Sequence, residues 1–266
     1  MTTDDKTAIS SFLGLAGDYL RDGHARNREY CVFDEDPPAE PEEKISLPLA
    51  YTVDEDDVNS DDAIDAIETI DSTGNDTIEA VTADIAACRA CGLAAARAHT
   101  VAGEGVPNPL VMVIGEGPGA DEDAAGRPFV GKAGQLLDRM LASIGLSREK
   151  NCYIANMVKC RPPGNRDPEQ EELAACFPFL ERQILTLKPK LILCVGRVAS
   201  QSLLKTREGI NALRGRFVEF SIGTETAIPL LPSYHPSAIL RDETLRRPAW
   251  EDLKLLRARL ESLDLD

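Results

Sequence analysis

Four cysteines, one histidine and one asparagine carry most of the chemistry this chain can offer. Cys88 and Cys91 form a Cys-x-x-Cys pair, and Cys160 and Cys176 lie far downstream. Two thiolates at that spacing reach one soft metal centre, and a second pair brought close by folding completes a four-sulfur site. Spacing leaves zinc and an iron–sulfur cluster both open, beside the plainer reading of unrelated buried cysteines. Cys31, Cys152 and Cys194 stand singly, and the last two lie in or beside apolar runs, which predicts a core role. Between the cysteine pairs runs a Gly-rich turn, Gly115-Glu-Gly-Pro-Gly119, whose glycines let backbone N–H groups approach a ligand closely. Dinucleotide folds and plain tight turns use the same device, and the Pro departs from the dinucleotide pattern.

These residues need a scaffold, and the pattern after Cys91 supplies one. Short β-rich runs alternate with longer amphipathic stretches, as in a parallel sheet flanked by helices. The expected strands are Leu110–Gly115, Tyr153–Val158, Leu191–Val195 and Ala227–Leu231, with Phe217–Ile222 as a short addition. Helices are expected over Thr77–Ala87, Ala133–Ile144, Pro168–Leu187, Arg197–Leu204 and Pro248–Leu260. In open sheets of this kind the ligand sits outside the carboxyl ends of the strands. Three of the four strands end in chemistry: the Gly-rich turn, Asn156 with Cys160, and His235. An amide at a strand end offers a donor and an acceptor side by side, the pattern needed to read a base edge, although a turn-capping Asn is the bland alternative. Of His24, His99 and His235, only His235 falls at a sheet mouth. Phe129, wedged in the glycine-punctuated run Gly126-Arg-Pro-Phe-Val-Gly131, either packs in the core or turns its face to a flat ring.

Charge divides the chain in two. The net charge is −16, but residues 1–86 hold 5 Lys and Arg against 23 Asp and Glu, and the remainder holds 24 against 22. Residues 1–76 therefore read as an acidic extension, with a short amphipathic helix over 8–20 and a self-repelling, disordered stretch from Asp34 to Asp76. Residues 77–266 read as the folded domain, with basic clusters at Lys159, Arg161 and Arg166, at Arg214 and Arg216, and at Arg241, Arg246 and Arg247. An evenly acidic surface would exclude nucleic acid; this segregation does not. The opening Met-Thr-Thr-Asp-Asp lacks the features of a secretory signal, and no apolar run approaches a membrane span. The expectation is a cytoplasmic protein with no membrane partner, in a compartment that leaves thiols free for ligation.

Four motifs now stand in order: Gly115-Glu-Gly-Pro-Gly119, Gly126-Arg-Pro-Phe-Val-Gly-Lys-Ala-Gly-Gln-Leu-Leu137, Asn156-Met-Val-Lys-Cys-Arg-Pro-Pro-Gly-Asn165 and His235-Pro-Ser237. Together with the four cysteines they resemble the family 4, iron–sulfur uracil-DNA glycosylases, from about residue 77 to the C-terminus. The resemblance implies a three-layer α/β/α sandwich with a central, mainly parallel four-stranded sheet. It also implies hydrolysis of the N-glycosidic bond of deoxyuridine in DNA, which starts base-excision repair. Cys88, Cys91, Cys160 and Cys176 would hold a structural 4Fe-4S cluster, and Arg161, Asn165 and Arg166 would face DNA. Phe129 would stack on uracil, Asn156 would read its pairing edge, and His235 would bond the carbonyl oxygen that gains charge. Glu116 and Gly117 would hold base and water, with Glu116 a second catalytic candidate. The superfamily's best-known members place an Asp that positions water where this chain has Gly117, and a methyl-barring Tyr where it has Gly119. Family 4 shares both departures and sets Glu122 at the methyl-excluding position.

A covalently trapping branch carries a Lys-Arg-Arg-Ile-His type insertion after the second strand. This chain reads Arg-Pro-Pro-Gly-Asn-Arg there, which implies free turnover. Two other classes stay open on the sequence: a non-catalytic Zn- or Fe–S-stapled nucleic-acid-binding domain, and a nucleotide-binding redox protein suggested by the turn and the thiols. The acidic extension is expected to serve a basic protein partner, to repel nonspecific DNA, or to suit high salt.

Overall fold

The computed structural model describes residues 76–222 and 227–263. The helix expected over 8–20, the acidic stretch up to residue 75, Cys31 and His24 lie outside the described residues.

Helix α1 (Ile78–Ala87) begins where Thr77 accepts the Ala80 amide on its hydroxyl at 3.2 Å, an N-cap that its sequence foretells. The chain then forms β1 (Glu104–Gly105), β2 (Val111–Gly115), α2 (Ala120–Ala125), α3 (Lys132–Ala142), β3 (Cys152–Asn156) and α4 (Gln170–Leu187). It continues through β4 (Leu191–Val195), α5 (Arg197–Leu204), α6 (Ile210–Leu213), β5 (Val218–Phe220), β6 (Ile228–Ser233), α7 (Pro236–Arg241) and α8 (Arg246–Glu261). The described strands form one sheet in the order β1-β3-β2-β4-β6-β5. Its centre, β3-β2-β4-β6, is parallel, and β1 and β5 pair antiparallel at the two edges.

Both faces of the parallel strands are covered, so they read as unbroken apolar runs. Their side chains still alternate. Val111, Val113, Ile154, Leu191 and Leu193 meet Leu137, Met140 and Leu141 of α3 and Leu253 and Leu256 of α8. Met112, Ile114, Tyr153, Ile192 and Cys194 meet Leu180 and Ile184 of α4 and Leu203 and Leu204 of α5. This two-sided packing is the α/β/α sandwich expected, widened from four strands to six. The additions are edge strands: Val218–Phe220 falls within the short strand expected over Phe217–Ile222, and Glu104–Gly105, of two residues, is too short for an alternation to register. Helices α2, α6 and α7 escape sequence reading for the same reason. Cys152 and Cys194 are core residues, and burial pushes both thiols well above their ordinary range, Cys152 to about 12. No described helix is long and apolar enough to cross a membrane.

Candidate active site and cysteine site

All four parallel strands deliver residues to one cleft of about 520 Å³ at their carboxyl ends. Strand β2 runs into Glu116–Gly119, β3 ends on Asn156, β4 leads to Gly196 and Arg197, and β6 leads to Tyr234 and His235. Of the residues singled out in the sequence, Glu116, Gly117, Glu122, Phe129, Asn156, Asn165, Arg166 and His235 line this cleft.

Asn156 is buried at 1 % exposure, and its Oδ1 has no hydrogen-bond partner among the described residues. A buried acceptor left open costs about 1–3 kcal/mol, so such a group in a cleft wall marks a place where a ligand donor fits. The room beside it comes from Gly115. A Cβ there would fall 2.5 Å from Asn156 Oδ1 and 2.6 Å from Phe129 Cζ, so only glycine lets amide and ring converge.

Phe129 adopts φ 53°, a left-handed conformation that costs a bulky residue energy and is held only by over-determined surroundings. Those surroundings are visible. The buried Arg148 guanidinium donates to Pro128 O at 2.9 Å and Phe129 O at 3.1 Å while pairing with Asp138 at 2.7 Å. The Glu122 carboxylate accepts the Val130 and Gly131 amides, each at 2.9 Å, and the Gly119 amide at 3.1 Å. Glu122 is thus both a cleft wall and the clasp that ties the Gly-rich turn to the Phe129 loop.

The His235 ring lies 5.6 Å from the Phe129 ring, tilted by 33°. His235 caps α7: its Nδ1 accepts the Ser237 amide at 3.1 Å and faces Ser237 Oγ at 2.8 Å. A backbone N–H can only donate, so Nδ1 carries the lone pair and the proton sits on Nε2. Burial, with a smaller contribution from the Arg241 charge, pulls the His235 pKa down to about 4. The ring is therefore a neutral donor at neutral pH. Glu116 is displaced the other way, its carboxyl raised chiefly by burial and further by the Asp167 charge, against Arg197.

The three residues expected to face DNA are partly engaged within the protein. Arg161 donates to Asn165 Oδ1 at 2.8 Å, and Arg166 forks onto Glu172 at 2.8 and 2.7 Å. Asp167 pairs with Arg197 at the cleft mouth. The basic clusters read from the sequence divide. Lys159 is buried at 1 % exposure, and Arg214 is tied to the buried Asp252 rather than lying on an open basic face. Arg197, Tyr234 and Arg241 belong to the cleft without having been singled out as its residues. Their signal was position, directly beside strand ends or the His235 turn. His99 is structural, with Nδ1 against Asp123 O at 2.9 Å.

Cys88, Cys91, Cys160 and Cys176 line a second, smaller cavity with Leu93, Arg97 and Phe179. N–H groups converge on the sulfurs: Arg97 Nη1 on Cys160 at 3.1 Å, the Lys159 amide on Cys176 at 3.3 Å, and the Ala90 amide on Cys88 at 3.5 Å. Burial raises the Cys160 and Cys176 thiols, Cys176 to about 11. Among the described residues no three Cys, His, Asp or Glu side chains are grouped tightly enough to share one metal ion.

Comparison with known proteins agrees with this geometry. The model of the uracil DNA glycosylase superfamily matches residues 102–254. A type-4 uracil-DNA glycosylase of Sulfurisphaera tokodaii is 41 % identical over 187 residues, covering 68 % of this chain and 84 % of the relative. A type-4 enzyme of Thermotoga maritima is 40 % identical over 185 residues, covering 68 % of this chain and 94 % of the relative. A type-5 uracil-DNA glycosylase of Pyrobaculum aerophilum is more distant, 32 % identical over 146 residues, covering 50 % of this chain and 63 % of the relative.

Proposed function

This chain belongs to the uracil-DNA glycosylase superfamily, in its type-4 branch, and from that premise we propose how its cleft excises uracil from DNA. The protein is a uracil-DNA glycosylase. It hydrolyses the bond between uracil N1 and deoxyribose C1′, and the abasic site left behind starts base-excision repair. The observation that carries the reading is the unpartnered, buried Asn156 Oδ1 in a cleft wall shared with an aromatic face and a neutral imidazole.

The target base must leave the stack to reach such a cleft. Uracil presents N3–H as a donor between two carbonyl acceptors. Asn156 answers with Oδ1 for N3–H and Nδ2 for O4, and Phe129 covers the ring. As the glycosidic bond breaks, the base becomes an anion with charge on O2, and His235 Nε2–H is the donor aimed at it. A donor that is neutral, desolvated and already oriented stabilises developing charge without reorganisation. Glu116 and the backbone through Gly117 hold base and water beside the sugar. The Glu122 clasp keeps the wall next to Gly119 stiff, which suits exclusion of a thymine methyl. Arg161, Asn165 and Arg166 follow the loop after β3 and meet phosphates.

The four cysteines suit the family's 4Fe-4S cluster, because they line one cavity and receive N–H donors on sulfur. When bound, the cluster supplies a covalent staple between the segment after α1, the loop after β3 and helix α4. Four ligating thiols also suit the reducing cytoplasm. For the acidic extension, outside the described residues, the three roles stay side by side: serving a basic protein partner, repelling nonspecific DNA and suiting high salt; excision across salt and partner capture with and without residues 1–76 test them.

Alkaline cleavage of uracil-containing single- and double-stranded oligonucleotides tests the activity. Strand breaks at uracil and none at thymine are expected. No abasic sites across a range of salt would leave only a stapled nucleic-acid-binding domain.

A further inference from the structure

Lys159 is a buried ionisable group that the excision chemistry does not use. Its Nζ donates to the Asn156 backbone carbonyl at 2.8 Å and to Gln183 Oε1 at 2.6 Å. Its own amide donates to Cys176 Sγ at 3.3 Å, and its carbonyl accepts the Val101 amide at 2.8 Å. Gln183, wholly buried on α4, is anchored in turn, its Nε2 donating to Ala102 O at 2.8 Å. No carboxylate among the described residues pairs with this lysine. Cys176 is a nearby group able to carry negative charge. A buried ammonium is costly unless its hydrogen bonds and countercharge are supplied, and an apolar side chain of similar length would fill the same space more cheaply. The site therefore uses the lysine for its directional bonds.

We propose that Lys159 is a positioning residue for uracil recognition: it ties the Asn156 backbone to Gln183 and to the Cys176 side of the cysteine site, making base reader and staple one hydrogen-bonded unit. The inference rests on the reading of Asn156 given above. Asn156 ends β3, where ladder pairing gives way to a loop, so its side-chain direction depends on how its own peptide is held. The bond from Nζ to Asn156 O fixes that peptide, and Gln183 fixes Nζ. Cys160 of the cysteine site lies four residues further on and holds the other end of the same short segment. The staple and the cleft then have a shared part, although no sulfur lines the cleft.

A double-mutant cycle in the full chain separates positioning from general support. Single-turnover uracil excision is measured for wild type, Lys159→Met, Asn156→Ala and the double variant, with visible cluster absorbance and melting temperature recorded for each. Lys159→Met is expected to slow excision about tenfold while cluster absorbance per chain is retained, and in the Asn156→Ala background its effect should shrink below about twofold. Equal fractional losses in both backgrounds would overturn the positioning role, as would an undiminished rate in Lys159→Met. A wild-type rate in Asn156→Ala alone would instead overturn the reading of the cleft. If Lys159→Met does not fold, Gln183→Leu removes the acceptor that steers Nζ, together with the Nε2 bond to Ala102 O. It should slow excision about threefold with the same masking by Asn156→Ala, and additive losses would overturn the proposal.

Discussion

The cleft and the cysteine cavity are built on opposite principles. In the cleft, the side chain that matters most is left open: Asn156 Oδ1 is buried without a partner, and Phe129 is held at a φ that a phenylalanine avoids. Around the cysteines, the polar donors already point at sulfur, from Arg97, Ala90 and the Lys159 amide. An open acceptor costs stability that a transient ligand returns only while bound, which suits turnover. Donors arranged on sulfur suit a group that arrives once and stays. The contrast is the one expected if excision belongs to the cleft and the cysteines fix where its parts stand.

Substitutions can break that contrast. The largest loss of excision is expected for His235→Ala, on the order of 10²-fold in single-turnover rate, as for removal of one oriented donor to a developing oxyanion. Asn156→Ala should cost at least about tenfold, equivalent to roughly 1.4 kcal/mol of barrier. Wild-type rates in both would remove the chemistry from the cleft. Cys88→Ser should act differently, removing visible cluster absorbance and lowering the melting temperature, with excision falling in proportion to folded protein. A variant that keeps its melting temperature and loses only its rate would put the cysteines in the reaction.

Gly134→Ala sharpens the comparison within the cleft. An added Cβ would fall 1.9 Å from Phe129 O, a backbone atom, so the strained loop must shift. A stability loss of about 1–3 kcal/mol is expected, with a rate loss smaller than that of Asn156→Ala, read by melting and by excision. The smallest effect concerns pH. The folded His235 pKa near 4 lies below the ordinary 6.5, so the unfolded chain binds more protons between these values. The stability linked to His235 neutrality is present above about pH 6.5 and is lost as pH falls toward 4. Excision should show no acidic limb at the ordinary histidine value, and a ring titration near 6.5 by NMR would contradict the neutral donor.

Strand-end chemistry made Phe129, Asn156 and His235 legible because parallel sheets gather such residues at one edge. Strand β4 and helix α5 were legible to the residue, since Leu191–Val195 is a continuous apolar run followed by a clear helical repeat. The supports of the site were not. Arg148 and Lys159 look like surface charges in one dimension, and only packing shows the first bracing the Phe129 loop and the second beneath Asn156. Arg166 also forks onto Glu172, a contact that depends on where α4 begins, a boundary that periodicity does not resolve.

The most direct test of the account is single-turnover excision from a uracil-containing oligonucleotide by the wild-type chain and by Asn156→Ala, with thymine as the control base. Abasic sites at uracil alone, formed by wild type and at least about tenfold more slowly by the variant, are the predicted result. Equal rates in the two proteins, or no abasic sites in either, would contradict it.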